Sequence, residues 1–214
     1  MAKTKSISGE QALDRLKQGN KRFVKNRNSG LAVHRDTRKL LLKSRGPFAI
    51  ILSCSDSRAP AEILFDQGLG DLFVIRVAGN IVAPSLIGSV EFAAATTQAR
   101  LVVVMGHTQC GAIQATFDAI EGKKPILSEN IHDIVERIRP HIHRLVSRNK
   151  RAKKKEELFH EAVRANVLVS ADHLRHGSRF LEEMVRHNEL IIVGAEYDIE
   201  TGLVDFFDVP VSKK

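Results

Sequence analysis

Residues 101–111 read LVVVMGHTQCG, an apolar run that leads into a histidine and a cysteine. A continuous apolar run of this length is typical of a strand buried on both faces, as in a parallel sheet. His107 and Cys110 follow the run directly, and the glycines that flank them indicate a tight turn into a helix. The stretch therefore predicts a central strand with two candidate metal ligands at its carboxyl end.

Similar apolar runs recur along the chain, separated by helical patterns. The other predicted strands span residues 47–53, 72–77, 189–197 and 203–209, and PSLIGSVEFAAATTQ at 84–98 predicts a helix. We expect the strands at 47–53 and 72–77 to be buried on both faces. Strands that alternate with helices predict an α/β fold with a mainly parallel central sheet and flanking helices. The turn at 200–202 predicts that the last strand forms an antiparallel edge hairpin.

The start of the chain has an amphipathic helical pattern. Ser8 and Gln11 have the spacing of a capping box, which opens a helix. We therefore predict an N-terminal helical arm over residues 1–30 that packs on another surface, a second subunit being one candidate. With 214 residues and 43% hydrophobic content, the chain suffices for one sizeable core, and we expect a single domain over residues 1–214.

Composition narrows the possible partners and location. No apolar run approaches the roughly 20 residues of a membrane span, and no signal peptide is evident at the start, so we expect a cytoplasmic protein without a membrane partner. The net charge of +8 is concentrated in the run RLVSRNKRAKKK at 144–155. We interpret this run as the solvated middle of a helical insertion. Aromatic residues make up 5% of the chain, and no stacking cluster lies among the cations, so a nucleic-acid partner is not favoured.

The chain has two cysteines, and the other one opens the segment CSDSR at 54–58. Either cysteine alone would usually be an inert core residue. Together, Cys54, Asp56, His107 and Cys110 form a complete set of S, N and O donors for tetrahedral zinc. A disulfide is not expected without a secretory signal, and a thioredoxin-like site would need a Cys-x-x-Cys pair.

The predicted strands bring these ligands to one edge of the sheet. Cys54 and Asp56 follow one strand, while His107 and Cys110 follow another. In open parallel sheets, ligands bind outside the carboxyl ends of the strands. The two half-sites can therefore converge, with Cys110 near the N-terminus of a helix, which favours its thiolate.

Three motifs then carry a family resemblance. CSDSR at 54–58, RVAGN at 76–80 and GHTQCG at 106–111, in this order, resemble the beta-class carbonic anhydrases. The resemblance is strong from about residue 47 to about residue 116. It implies a zinc enzyme that interconverts carbon dioxide and bicarbonate, in which a zinc-bound hydroxide attacks carbon dioxide. It also implies one Zn²⁺ per chain and assembly into a homodimer or homotetramer.

The resemblance assigns roles to individual residues. Cys54, His107 and Cys110 match the three zinc ligands of the family, and Asp56 and Arg58 match its catalytic Asp–Arg pair. In the active form Asp56 pairs with Arg58. In the closed form of some members, Asp56 binds zinc as the fourth ligand.

Substrate contacts are less fully matched. Arg45 stands where many members have a glutamine that contacts the substrate, Phe73 matches an apolar pocket residue, and Gly111 is the first glycine of the usual Cys-Gly-Gly. We assign all three to substrate binding, although Phe73 would also suit simple core packing. The second glycine of that motif is replaced by Ala112.

Two other interpretations stay open at this point. A binding module with a structural zinc could use Asp56 as a permanent fourth ligand, although Arg58 is placed to draw that carboxylate away. The basic run could bind nucleic acid, in which case binding would weaken at high salt.

Overall fold

The sheet has five strands in the order β2-β1-β3-β4-β5. The computed structural model describes residues 7–29, 39, 41, 42, 46–149 and 155–209. The strands are β1 Ala49–Ser53, β2 Leu72–Arg76, β3 Leu101–His107, β4 Ile191–Tyr197 and β5 Val204–Asp208. The first four are mutually parallel, and β5 pairs antiparallel with β4. The predicted α/β fold, its parallel sheet and its antiparallel edge hairpin are confirmed.

Seven helices flank this sheet in the described part of the chain. They are α1 Gly9–Val24, α2 Ala61–Leu64, α3 Pro84–Thr96, α4 Gly111–Ile120, α5 Glu129–Asn149, α6 Lys155–His176 and α7 Arg179–Arg186, with a 3₁₀ turn at Ala78–Asn80. The basic run lies at the end of α5 and the start of α6, and residues 150–154 fall outside the described residues. No helix among the described residues is both long enough and apolar enough to cross a membrane.

The two faces of the sheet bury alternate residues of the same strands. On one face Ile50, Leu52, Val102 and Val104 pack with residues of α3, α6 and α7. On the other face Ile51 and Val103 pack with residues of α1 and α2. Every residue of β1 and β3 is buried, as expected for central parallel strands.

Strand β2 differs from its prediction. It lies at the edge of the sheet, and Ile75 is its single buried residue. An apolar run predicts a strand but does not say whether a second strand will pair with its outer side. Side chains of β2 do pack into the core on both faces, with Phe73 and Ile75 on one and Leu72 and Val74 on the other. The open edge leaves most of them half-buried, so the expected burial of residues 72–77 on both faces is only partial.

The N-terminal helix packs on the chain's own sheet. The predicted capping box is present. The Gln11 backbone N–H donates to Ser8 Oγ (3.2 Å), and the Ser8 backbone N–H donates to Gln11 Oε1 (2.9 Å). Ala12 and Leu16 are fully buried in the core. At Gly19 a Cβ would lie 1.7 Å from the Phe65 carbonyl oxygen, so only glycine permits this close approach.

A buried carboxylate fixes the end of this helix. The Asp66 side chain is fully covered and accepts hydrogen bonds from Arg22 Nε (2.5 Å) and from Ser29 Oγ (2.9 Å). Burial alone would raise the pKa of Asp66, but the bonds from Arg22 and Ser29 outweigh it and hold the pKa below the ordinary value. The ionised form of Asp66 therefore stabilises the docked helix.

We expect Asp66→Asn to destabilise the protein in a pH-dependent way. The folded pKa lies below the unfolded one, so the stabilisation is present above the unfolded value near 4 and is lost as pH falls through the folded value. At neutral pH the free energy of unfolding should fall by about 1.5–3 kcal/mol, as for a hydrogen bond to a charged group. Urea unfolding at several pH values measures this.

The matched control is Asp133→Asn, which removes a carboxylate that pairs with Arg137 on the exposed side of α5. This control should change stability little, because exposed ion pairs contribute little. A loss in Asp66→Asn that is equally large at neutral and strongly acidic pH would contradict the assigned role of the ionised carboxylate.

Candidate metal centre

The two cysteines and His107 converge as predicted. The Sγ atoms of Cys54 and Cys110 and a ring nitrogen of His107 all lie within 4.8 Å of one another. All three residues are buried, and both thiols are free. In the described part of the chain, no other group of three His, Cys, Asp or Glu residues comes together in this way.

The pairing of β1 with β3 positions these ligands. Ser53 is in register with Met105, so the carboxyl ends of the two strands lie side by side. Cys54 follows β1 directly, and His107 is the last residue of β3. Cys110 is the N-cap residue of α4, where the helix dipole favours negative charge.

The His107 ring is oriented so that one nitrogen faces the thiols. Its Nδ1 lies 2.8 Å from the Thr108 carbonyl oxygen. A carbonyl oxygen only accepts, so Nδ1 carries a proton, and in the neutral ring Nε2 carries a lone pair. Nε2 is buried without a hydrogen-bond partner. A buried, unpartnered lone pair beside two thiols fits a metal ion with soft and nitrogen ligands.

The two thiols differ in their tendency to ionise. The bond from the Cys110 thiol, aided by the Gly79 amide, lowers the pKa of Cys54 to about 4 in spite of its burial. The same bond to Cys54, together with burial, raises the pKa of Cys110. The pocket by itself thus favours one thiolate, and a bound cation would favour ionisation of both thiols.

Asp56 lies beside this group but is bound by Arg58. Arg58 Nε donates to Asp56 Oδ1 (2.9 Å), Nη2 donates to Oδ2 (2.8 Å), and the Arg58 amide also donates to Oδ1 (2.9 Å). These bonds hold the pKa of Asp56 far below its ordinary value. Asp56 Oδ2 is 3.9 Å from His107 Nε2. The structure therefore has the paired arrangement of Asp56, and its role as a fourth ligand stays a prediction for another state.

The sequence analysis did not predict the contacts that several supporting residues make. Arg76 donates to the carbonyl oxygens of Cys54 (3.1 Å) and Asp56 (2.5 Å), and the Gly79 amide donates to Cys54 Sγ (3.3 Å). Gln109, in a left-handed conformation, contacts the Arg58 guanidinium through its side chain and its carbonyl oxygen, both at 3.4 Å. The RVAGN motif was the available signal for Arg76 and Gly79, but it did not indicate these roles.

The three predicted substrate contacts are placed as follows. Arg45 lies outside the described residues. Phe73 is half-buried on β2 and packs against the core, which is the simpler role considered for it. Gly111 is the exposed first residue of α4, and a Cβ there would meet no described atom within 4 Å. A substrate contact at Phe73 or Gly111 stays a prediction.

A family model, a sequence relative and a solved structure all point to the same family. A family model described as carbonic anhydrase matches residues 49–204. "Carbonic anhydrase 2" of Mycobacterium tuberculosis is 37% identical over 188 residues, which cover 87% of each chain. The solved structure of the beta-carbonic anhydrase CcaA has a TM-score of 0.70 and 26% identity, with 93% of this chain and 100% of that chain covered.

A more distant structure has the same fold. It is one of two tetrameric beta-carbonic anhydrases from the ascomycete Sordaria macrospora, with a TM-score of 0.71 and 18% identity, covering 92% of this chain and 97% of that chain. The match over residues 49–204 includes all three residues of the metal group. By this match and by the identity to its bacterial relative, the chain belongs to the beta-carbonic anhydrase family.

Proposed function

We propose that this chain is a zinc enzyme that catalyses the reversible hydration of carbon dioxide to bicarbonate and a proton. The observation that carries the proposal is the buried group of Cys54, His107 and Cys110, with an unpartnered His107 Nε2 directed at two thiols. Family membership supplies the reaction, and this donor set supplies a place for the ion.

Cys54, His107 and Cys110 would hold one Zn²⁺ per chain. Three protein ligands are typical of a catalytic zinc, which keeps a further position open. When bound, zinc supplies a Lewis acid that lowers the pKa of water at the open position and makes a nucleophile for carbon dioxide available near neutral pH. Two thiolates donate more charge than two imidazoles would, so the water here should be less acidic than at an all-histidine site.

Asp56 and Arg58 would orient the reacting water. Asp56 Oδ2 lies 3.9 Å from His107 Nε2, so a carboxylate oxygen faces the ligand group. Because this carboxylate stays ionised beside Arg58, it can accept a hydrogen bond from the water and leave an oxygen lone pair directed at carbon dioxide. Arg58 also keeps Asp56 from taking the fourth ligand position itself.

The same pairing argues against a purely structural metal. A closed structural zinc needs four protein ligands, and Asp56 is the fourth candidate. Its oxygens instead bind Arg58 through two side-chain bonds and one backbone bond. A site with three protein ligands and a restrained carboxylate nearby is suited to catalysis.

We also infer that the chain forms at least a homodimer. Phe92 is 60% exposed on α3, a helix that is apolar on most sides, which supports a contact between copies. The Sordaria macrospora proteins that have this fold are tetrameric. The single domain, the cytoplasmic location, the absence of a nucleic-acid partner and the substrate contacts of Arg45, Phe73 and Gly111 stay predictions from the sequence.

The first prediction from the proposed function concerns metal content. His107→Gln and Cys110→Ser should each lose most of the bound zinc, because each removes one of three ligands. Elemental analysis of the purified proteins measures this, with an expected value of about one zinc per chain for the unmodified protein. The control His160→Gln, which changes a half-exposed histidine bound to Glu196, should retain zinc. Full zinc and full activity in Cys110→Ser would refute the site.

The second prediction concerns the pair. Arg58→Ala should keep zinc but lower kcat/KM for carbon dioxide hydration by about 100-fold or more, because Asp56 could then no longer act on the reacting water, and lost acid–base groups usually cost this much. The reason is that Asp56 loses its restraint and can occupy the position of the reacting water. Stopped-flow hydration assays measure the rate. Arg179→Ala, which breaks an exposed ion pair with Glu183 on α7, is the control and should be fully active.

The third prediction concerns assembly. Light scattering at micromolar concentration should give a mass of at least two chains. Phe92→Asp should reduce that mass, because a charge would have to be buried in the contact, while circular dichroism shows an unchanged fold. A monodisperse and active monomer of the unmodified protein would contradict the inference.

A further inference from the structure

The thiolate ligand Cys54 has a backbone donor of its own. The Gly79 amide donates to Cys54 Sγ over 3.3 Å. Gly79 lies in the 3₁₀ turn at Ala78–Asn80 with a φ of 71°, a left-handed conformation that glycine adopts readily. One N–H group is therefore directed at a sulfur that, under the proposed function, binds zinc.

The other end of the same residue is held by a helix far along the chain. Asn166 on α6 is 1% exposed, and its Nδ2 donates to the Gly79 carbonyl oxygen over 2.8 Å. One turn later, Ser170 Oγ donates to the carbonyl oxygen of Asn80 over 3.1 Å. Gly79 is thus fixed at both ends, with its N–H on Cys54 and its carbonyl on Asn166.

This arrangement has a consequence for the metal. A hydrogen bond to a thiolate draws electron density from the sulfur, so the sulfur donates less to a bound ion. Contacts of this kind outside the ligand shell tune both metal affinity and metal reactivity. Glycine imposes little backbone preference of its own. The Gly79 carbonyl belongs to the next peptide unit, so a donor that holds it limits rotation at Gly79 and through that rotation the direction of the N–H.

We propose that Asn166 is a positioning residue that holds the Gly79 amide on the Cys54 sulfur and so sets how strongly that sulfur donates to the metal. The proposal rests on the proposed function only in taking Cys54 as a zinc ligand. The close packing of α6 on β3 supports the proposal, because it holds Asn166 in place. A Cβ at Gly106 of β3 would lie 2.8 Å from Val167 and 2.9 Å from Val163, both on α6. Helix α6 therefore lies directly on β3, with Asn166 in reach of the turn.

The test compares Asn166→Ala and Asn166→Asp with the unmodified protein. Both remove the amide donor, and the aspartate does so at nearly constant shape. The zinc dissociation constant, measured by competition with a chromophoric chelator, should rise about 10- to 100-fold, as for other lost outer contacts. The reason is that Cys54 Sγ loses the N–H that holds it in place before the ion binds, and this loss of orientation outweighs the stronger donation of the freed sulfur. In the cobalt-substituted protein, the sulfur-to-metal charge-transfer band should move to longer wavelength, because a sulfur without its hydrogen bond donates more strongly.

The matched control is Ser170→Ala. It removes a hydrogen bond from the same helix to the same turn, but that bond ends on Asn80 and leaves Gly79 held. Its charge-transfer band should coincide with that of the unmodified protein. An unchanged band and affinity in both Asn166 variants would overturn the proposal. Equal shifts in Ser170→Ala would also overturn it, since they would indicate general loosening of the turn.

A measurement on the unmodified protein covers the case in which the variants do not fold. In a form loaded with NMR-active cadmium, the Gly79 amide proton should show scalar coupling to the metal through the sulfur. A missing coupling would overturn the proposal. Failure of the proposed function is distinguishable, because it would leave the unmodified protein without zinc or without carbon dioxide hydration, whatever the Asn166 variants do.

Discussion

The parallel pairing of β1 with β3 is the constraint on which the site depends. Parallel strands end at the same edge of a sheet, so residues that follow the two strands meet there even though Cys54 and His107 are far apart in sequence. Burial of both strands on both faces fixes their register, because a shift by one residue would turn the core side chains of β1 and β3 to the wrong faces. The geometry of the metal group thus follows from core packing.

Charge balance is the second organising factor at this edge. Two thiols and a carboxylate lie close together, and burial opposes ionisation of the thiols. Arg58 compensates Asp56 directly, while the turn at Ala78–Asn80 and the dipole of α4 stabilise negative charge on the sulfurs. When both thiols are ionised and Arg58 balances Asp56, the two thiolates leave a negative charge that a divalent cation balances. A single metal ion therefore suits this group of donors.

The metal group and the succession of strands and helices along the chain could be predicted because each has a local signal. Soft donors after apolar runs identified Cys54, His107 and Cys110, and the turn at 200–202 indicated the antiparallel hairpin. The edge position of β2 and the half-burial of Phe73 depend on which strands become neighbours, which an apolar run does not encode. Asn166 was missed because it acts on a backbone carbonyl 87 residues away, and its own segment resembles any amphipathic helix.

Gly106 shows that mutational intolerance and chemical function are different properties. It bears no side chain, yet a methyl group there would press on the stiff side chains of Val163 and Val167. Relief would require α6 to lift from the sheet. Over generations such a position would accept as little variation as the cysteines themselves. Invariance at residue 106 would therefore reflect the close contact between α6 and β3. Only the contacts of a residue distinguish such a position from one that is conserved for catalysis.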